Sequence, residues 1–394
     1  MTTFVAEETE LRTKSLGERR DRIRAKMQEN GLEVAILYAT QNHTFFQAMN
    51  TPWWVTGFKQ MGPHSAVIIP LEGEVTYVMT PMWDRDRAVE RCVTIDSVIG
   101  VEEEDFFDTV RQVLDQQGLR GKKTGYAAGI VPTLGSSQQR STTEAWQSVL
   151  AGEPTSIDVM VSDLAKIRDE WSMHCVHKAA FIAERGYDKM VETARPGMPE
   201  HEVAAILDAL TRELGAEDNF QILSASQHNR LVHQPMNRRL EMGDVLLGEI
   251  SPSYEGEYIQ ICRTAVIGPQ TDLQLEKFAL LDHALRQGLA KAKPGVHVSE
   301  IVKAINEPLN DAGYGQYTVP PYMRTRGHSQ GLGSMDPQID LIHDHTLEKG
   351  EVFVMHPNQY LPDVGYFMCG EPVVITDEGA QILTSRMGTL DAIL

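Results

Sequence analysis

Long apolar runs are absent from this sequence, and cysteine is rare. No window reaches the ~20 apolar residues that a membrane-spanning helix needs, and residues 1–22 lack the apolar core of a signal peptide. The chain contains 4 cysteines, none in a CxxC pair, which is not the spacing of a disulfide framework or a zinc ribbon. We therefore expect a soluble, cytoplasmic protein whose thiols are reduced.

Positive charge is also scarce. Lys and Arg number 36 against 55 Asp and Glu, so the formal net charge is −19. A surface of this sign repels phosphate backbones and anionic lipids, which argues against nucleic-acid and membrane partners. The dinucleotide-binding motif GxGxxG, the Walker loop and the zinc-protease motif HExxH are absent as well. We expect the partner to be a small-molecule substrate.

The order of the predicted elements divides the chain into two domains. A length of 394 residues is two to three times that of a typical domain of ~150 residues. In the first part, strands such as residues 34–39 and a hairpin within residues 65–80 alternate with helices, which predicts an α/β N-terminal domain. A long helix is expected to begin near Ser162, whose hydroxyl suits an N-cap. We place the domains at residues 1–158 and 159–394.

The second half contains a weak internal repeat. The turn Arg195-Pro-Gly before one predicted helix matches Lys293-Pro-Gly before another, and the segment GDVLLGE from Gly243 matches GEVFVMH from Gly350. Both copies run in the order turn, helix, glycine-rich link and apolar strand. Such a repeat predicts a duplicated αβ unit with a pseudo-twofold axis, and hence an α+β C-terminal domain.

The duplication places Glu249 and His356 at equivalent positions, each at the end of an apolar strand. A charged or polar side chain is costly to bury there unless it is paired or binds a ligand. Two interpretations stay open at this point. The two residues belong to a functional site, or they are buried polar groups that Arg or backbone groups satisfy.

Three further segments bring polar residues into the same half of the chain. His233 lies in the loop-like segment before the Glu249 strand, His328 lies in the glycine-rich segment RGHSQGLG, and Glu371 stands at the entrance of an apolar strand. Glycine lets a backbone approach a ligand closely, so His328 is a candidate site residue; the alternative is a histidine of a surface turn. Cys262 is expected to be a small buried apolar residue.

These segments resemble the pita-bread fold of methionine aminopeptidase, prolidase, aminopeptidase P and creatinase. The resemblance rests on GDVLLGEISPSYEGEYIQICRTAVIG, GHSQGLG, KGEVFVMHPNQY and VVITDEG, in that order. The N-terminal segments TQNHTFF and TGF resemble the domain that the creatinase and prolidase branch places in front. The resemblance implies an α/β N-terminal domain followed by a pita-bread catalytic domain.

The resemblance also implies positions for metal ligands. Dinuclear peptidases of this family use Asp, Asp, His, Glu and Glu. The matching positions here hold Glu249, Gln260, His328, His356 and Gly370. Glu371 stands one residue after the last position. A neutral amide in place of a bridging carboxylate removes charge that holds two cations together, so we do not expect a dinuclear peptidase site.

Two kinds of enzyme remain. The first resembles creatinase, a metal-free hydrolase that cleaves a carbon–nitrogen bond of a small molecule by histidine acid–base catalysis. Its candidate catalytic residues are His233, His328, Glu249 and Glu371, and its candidate substrate-binding residue is Gln260. The second is a hydrolase, lyase or oxygenase that holds a single Fe, Mn or Zn ion. Its candidate ligands are Glu249, His328, His356 and Glu371.

A third alternative is a catalytically inactive pita-bread module that binds a peptide or a protein. Creatinase-type enzymes are homodimers, and the resemblance implies the same assembly here. Trp53 and Trp54 are then candidate substrate-binding walls of the pocket, or else ordinary core residues. Arg324 and Arg326 are candidates for binding a substrate carboxylate through bidentate hydrogen bonds, or else surface residues of a loop.

Overall fold

The structure is a computed structural model that describes residues 6–40, 50–128, 137–323, 325–331 and 335–394, without the side chains of residues 137–143. The described residues up to Lys166 form one compact unit, and those from Ile167 onwards form a second. The division falls a few residues after the boundary expected from the sequence. Within the described ranges, no helix is both long and apolar enough to cross a membrane.

The N-terminal unit is built on one six-stranded mixed sheet. Its helices are α1 (Ala6–Glu29), α2 (Thr51–Thr56), α3 (Arg85–Arg91), α4 (Phe106–Gln116), α5 (Ser137–Leu150) and α6 (Asp158–Lys166). Its strands are β1 (Val34–Thr40), β2 (His64–Pro70), β3 (Thr76–Met79), β4 (Ser97–Gly100), β5 (Thr124–Ala127) and β6 (Thr155–Ser156). The sheet order is β4-β3-β2-β1-β5-β6. The antiparallel pair β2–β3 confirms the predicted hairpin.

Both faces of this sheet are covered, which explains its unbroken apolar strands. Along β1, Ala35 and Leu37 belong to one apolar cluster, whereas Ile36 and Tyr38 belong to another. Successive side chains of a strand point to opposite faces, so a strand buried on both sides needs apolar residues at every position. This arrangement is the α/β N-terminal domain that the sequence predicts.

The C-terminal unit combines long helices with two main sheets. Its helices are α7 (Glu170–Thr193), α8 (Glu200–Glu213), α9 (Asp272–Lys291) and α10 (Val298–Asp311). The strands of its first half are β7 (Asp218–Ser226), β8 (Val245–Tyr254), β9 (Glu257–Tyr258) and β10 (Ile261–Ile267). The later strands are β11 (Gly327–Ser329), β12 (Val352–Met355), β13 (Gln359–Leu361), β14 (Gly365–Phe367), β15 (Glu371–Thr376), β16 (Gly379–Ile382) and β17 (Leu390–Ile393).

The strand order confirms the predicted duplication. One sheet runs β17-β10-β8-β7 and the other runs β11-β12-β15-β16, so β7, β8 and β10 correspond to β11, β12 and β15. Each trio is antiparallel throughout. The helix pair α7–α8 precedes the first trio, and α9–α10 precedes the second. Glu249 and His356 therefore occupy equivalent places in the two halves, on β8 and directly after β12.

The predicted helix from Ser162 is two helices in the structure. α6 ends at Lys166 and α7 begins at Glu170. Asp169 caps the second helix, because its carboxylate accepts a hydrogen bond of 2.8 Å from the backbone N–H of Ser172. Asp is among the strongest N-cap residues, and this local signal breaks a pattern that otherwise reads as one continuous helix.

Candidate functional site

Four residues form one row across the junction of the two sheets. Glu249 of β8 stands opposite Cys262 of β10, and Cys262 is bridged to Gly370, directly before β15. His356 is the next member, because a Cβ atom on Gly370 would lie 2.7 Å from the His356 Cβ. We call Glu249, Cys262, Gly370 and His356 the junction row. It joins the two positions that the sequence repeat predicts to be equivalent.

Glu249 carries a carboxyl group without a partner. Among the described residues, no N–H or O–H group donates a hydrogen bond to this carboxyl, and no cation pairs with it. The side chain is partly buried, and this loss of solvation raises its pKa from the ordinary 4.5 to about 7 because no partner compensates for it. The alternative of a carboxylate satisfied by an Arg side chain therefore does not apply to Glu249.

His328 and His356 lie close together. Their ring centroids are 5.5 Å apart, and both side chains are buried. His328 stands opposite Val354 on β12, two positions before His356, so the two imidazoles share one face of the sheet. Nδ1 of His328 is 2.9 Å from the carbonyl oxygen of Ser329 and donates to it in the neutral ring. In the described part of the chain, Nδ1 of His356 has no hydrogen-bond partner.

The environment keeps both imidazoles neutral. Burial lowers the pKa of His328, although its bond to the Ser329 carbonyl acts in the opposite direction. Burial and the neighbouring His328 lower the pKa of His356 to about 3. A neutral imidazole offers one donor and one acceptor nitrogen, so the pair can hydrogen-bond a ligand or a water molecule near pH 7.

Side-chain amides surround the sulfur of Cys262. Gln260 donates from Nε2 at 3.4 Å to the Cys262 sulfur, and Asn358 donates from Nδ2 at 3.5 Å. All three side chains are buried. Burial is the largest cause that raises the pKa of the Cys262 thiol, and the nearby Glu249 carboxyl raises it further. The thiol therefore stays protonated. Cys262 is thus buried as the sequence predicts, but in the middle of the candidate site.

The structure does not bring Glu371 into this site. Arg263 binds both of its carboxylate oxygens at 3.0 Å, and Thr384 Oγ1 and the Gly388 N–H donate at 2.7 and 2.6 Å. The side chain is fully buried in this network. As a neighbour of Gly370, Glu371 points to the opposite face of its strand. In this structure Glu371 therefore does not face the junction row, as its predicted roles as a catalytic residue and metal ligand would require.

Arg326 is a buried residue rather than a surface one. Its Nε donates to Asn306 Oδ1 at 2.7 Å, Nη1 to the Asn358 carbonyl at 3.2 Å, and Nη2 to Gln359 Oε1 at 3.0 Å. Every one of these acceptors is neutral. Burial lowers the pKa of Arg326 to about 9. The guanidinium thus has no carboxylate among these contacts. The backbone carbonyl of Arg326 accepts the His356 N–H at 2.9 Å, so Arg326 is a direct neighbour of His356. Arg324 lies outside the described residues.

The other predicted residues lie elsewhere. His233 is exposed on the loop after β7, and its Nδ1 lies 2.8 Å from the Gln234 carbonyl. Glu200 holds this loop, because its carboxylate accepts the backbone N–H of Met236 at 2.8 Å. In the N-terminal unit, Trp54 is buried in the core, whereas Trp53 is half-buried under the ammonium group of Lys59.

Two site residues have no counterpart in the sequence-based assignment. Asn358 is two residues after His356 in HPNQY, a spacing that could have indicated it. Tyr366 precedes the junction by four residues, and the sequence gives no such signal for it. Burial is the largest cause that raises the pKa of Tyr366, so its phenol stays protonated and is available as a hydrogen-bond donor.

The residues present do not fit a metal pair. Among the described residues, no group of three or more His, Cys, Asp or Glu side chains is arranged to hold a metal ion. Gln260 and Gly370 stand where the resemblance implies carboxylates, and Glu371 is committed to Arg263. In the predicted single-metal site of two histidines and one carboxylate, Glu249 would be the carboxylate ligand.

Comparisons with known proteins agree with the architecture. Residues 174–377 match Metallopeptidase family M24, and residues 19–159 match the creatinase/prolidase N-terminal domain. An Xaa-Pro dipeptidase of Pyrococcus furiosus is 26% identical over 357 residues, which cover 90% of this chain and 97% of that protein.

Solved structures show the same fold. The Xaa-Pro dipeptidase from Bacillus anthracis superimposes with a TM-score of 0.79 at 21% identity, over 96% of this chain and 99% of that one. The X-Pro aminopeptidase from Thermotoga maritima MSB8 gives 0.78 at 23% identity, over 95% and 99%. The predicted pita-bread fold with a creatinase/prolidase-type N-terminal domain is confirmed, and the chain belongs to metallopeptidase family M24, a family of hydrolases.

Proposed function

We propose that the protein is a hydrolase that cleaves a carbon–nitrogen bond of amide or amidine type in a small non-peptide molecule, by acid–base catalysis without a metal pair. The observation that carries the proposal is the unpartnered carboxyl of Glu249, on a row that also holds the neutral His356. Unpaired buried polar groups are costly, and they are commonest where a ligand completes their hydrogen bonds.

The division of labour follows from the surroundings of each group. A carboxyl whose pKa is about 7 both accepts and releases protons near neutral pH, which suits Glu249 as the general acid–base. His328 donates from Nδ1 to Ser329, so its Nε2 is the acceptor that can hold the attacking water. His356 is a weak base and serves as a hydrogen-bonding group. The resemblance to creatinase assigns proton transfer to a histidine, whereas in this proposal Glu249 transfers the proton and His328 holds the water.

The reaction then needs two proton transfers. Water adds to the carbon as Glu249 takes its proton, and the protonated carboxyl returns that proton to the nitrogen as the carbon–nitrogen bond breaks. The protonated phenol of Tyr366 and the amide groups of Gln260 and Asn358 supply donors for the oxygen that carries charge in between. Arg326 is the candidate cation for a carboxylate elsewhere on the substrate.

The alternative activity is that of the Pyrococcus furiosus relative, which is named an Xaa-Pro dipeptidase. A dipeptidase with two metal ions, a single-metal enzyme with Fe, Mn or Zn, and an inactive binding module are the outcomes to be separated from the proposal. The homodimer, the cytoplasmic location and the role of Trp53 and Trp54 as pocket walls stay predictions.

Metal content separates these outcomes first. The intact protein, purified without chelator, is expected to contain far less than one equivalent of Fe, Mn or Zn, because Glu249 is the one carboxylate that the site residues offer: Gln260 and Gly370 carry none, and Glu371 is paired with Arg263. Elemental analysis measures this, and EDTA is expected to leave turnover of small amides, amidines and guanidino compounds unchanged. One equivalent of metal with EDTA-sensitive activity would instead indicate the single-metal enzyme. Two equivalents of metal together with Xaa-Pro hydrolysis would indicate a dipeptidase.

Histidine variants test the catalytic assignment. His328→Ala is expected to lower kcat by ~10²–10⁴-fold, the usual contribution of an acid–base group, while circular dichroism shows a folded protein. His233→Ala distinguishes the creatinase-type assignment, which requires an equal loss, from the mechanism proposed here, which does not use His233. His283→Ala on the exposed face of α9 is the control and should keep full activity. Near-normal turnover of His328→Ala would contradict the assignment.

A further inference from the structure

Gly370 brings three strands closer together than any other residue type would allow. Its N–H donates to the Cys262 carbonyl at 3.2 Å, and its carbonyl accepts the Cys262 N–H at 3.1 Å. A Cβ at this position would lie 2.7 Å from the His356 Cβ and 3.0 Å from the Cys262 Cβ. Carbon atoms of real side chains do not approach this closely, since nonbonded carbons prefer ~3.5–4.0 Å. The junction is therefore closed at the level of the backbone.

The sulfur of Cys262 fills the remaining space. It would lie 3.1 Å from a Cβ on Gly370. Gln260 and Asn358 both turn their NH₂ groups towards this sulfur. An amide nitrogen that donates a hydrogen bond has no lone pair for a cation, so these two groups face the junction as donors rather than ligands.

The adjacent carboxylate has no route into the junction. Glu371 makes two bonds to Arg263, and it also accepts from Thr384 and from the Gly388 N–H. Turning it by one residue would leave the buried Arg263 cation unpaired, which typically costs ~3–5 kcal/mol. It would also shift every following side chain of β15 to the other face.

We infer that backbone closure at Cys262–Gly370, and not only the loss of carboxylate charge, excludes a metal pair from this site. Restoring acidic residues at the ligand positions is then insufficient to restore paired-metal binding. This inference is independent of the bond that the enzyme cleaves, because it concerns metal binding and packing only.

The first test restores carboxylates at two of the ligand positions and leaves Gly370, and hence the closure, intact. Gln260→Asp/His356→Glu, made in the full-length chain, is titrated with Mn²⁺ and with Co²⁺ by calorimetry and by visible absorption of the bound Co²⁺. We expect at most one equivalent to bind. Saturable binding of two equivalents would overturn the inference, whether or not the variant hydrolyses any substrate.

The second test probes the closure itself. Gly370→Ala is expected to lower the Tm of the C-terminal unit by roughly 3–10 °C, as overpacking of a core does. Gly248→Ala on β8 is the matched control, since a Cβ there would meet its nearest neighbour at an ordinary 3.8 Å. A Gly370→Ala protein as stable as the control would overturn the closure. Because this readout needs no metal and no substrate, it stands apart from the test of the proposed function.

Discussion

Glu249→Gln is expected to lower turnover by ~10²–10⁴-fold and, at pH 8, to raise the free energy of unfolding by about 3 kcal/mol. The first effect follows from the loss of the acid–base group. The second follows from its missing partner, because the ionised carboxyl is partly buried without a donor or a cation. A neutral amide of nearly the same shape removes that poorly solvated charge.

The pH dependence fixes the sign of the stability effect. In the unfolded chain the carboxyl titrates near 4.5, whereas in the folded protein its pKa is about 7. Its contribution to stability is therefore fully present below pH 4.5 and is lost as the pH rises through 7. Urea unfolding of the wild type and of Glu249→Gln should give similar free energies at pH 4.5 and diverge by pH 8.

Glu371→Gln is the matched control, since it makes the same chemical change at a buried carboxylate that has partners. At pH 8 it should destabilise the protein by ~3–5 kcal/mol, because it leaves the buried Arg263 without its counter-ion. If Glu249→Gln were destabilising in the same way, Glu249 would have a structural partner, and the assignment of a free acid–base group would be wrong.

Opposite signs at the partly buried Glu249 and the fully buried Glu371 would show where this protein gives up stability for function. Glu371 is enclosed by donors and belongs to the framework between the two halves. Glu249 is held on a strand without compensation, which is the expected condition of a group that a substrate completes. The two residues have the same side chain, so only their contacts distinguish the roles.

The sequence predicts the duplicated framework well, because its signals are local. The Pro-Gly turns at Arg195 and Lys293 and the apolar strands from Gly243 and Gly350 recur in one order, and each is visible in a short window. From that order alone, Glu249 and His356 fall at equivalent places. The structure confirms this equivalence, because β8 and β12 take the same position in their sheets.

The direction of a side chain at a strand entrance is less accessible from the sequence. Glu371 lies one residue from the position that the resemblance implies, and one residue reverses the face. What decides its direction is Arg263, which is more than 100 residues away in the chain. The burial of Arg326 has a similar cause, because its three acceptors come from α10 and from the segment after β12. Such distant partners leave no local pattern.

Cys262 shows that a correct prediction of burial does not reveal that a residue lies in the candidate site. A lone cysteine on an apolar strand is most often a small core residue, and this thiol is indeed buried. Its neighbours on the junction row, however, are Glu249 and Gly370, and two amides donate to its sulfur. Those neighbours are known only once the register of β8 and β10 is known.

His356→Gln is expected to make the protein markedly less sensitive to acid. In the unfolded chain this imidazole gains a proton near pH 6.5, whereas in the folded protein burial and the neighbouring His328 lower its pKa to about 3. Its contribution to stability is therefore present above pH 6.5 and is lost as the pH falls towards 3, by about 5 kcal/mol in total. The glutamine variant lacks this loss.

The measurement is the difference in unfolding free energy between wild type and His356→Gln, taken from urea curves at several pH values from 7 to 4. This difference should shift steadily in favour of the variant as the pH falls, although the wild type is expected to be at least as stable at pH 7. His233→Gln, on an exposed loop, should show no such shift. A pH-independent difference would mean that His356 is solvated or paired in the folded protein, and the unpartnered imidazole would then be unavailable as a hydrogen-bonding group for the substrate.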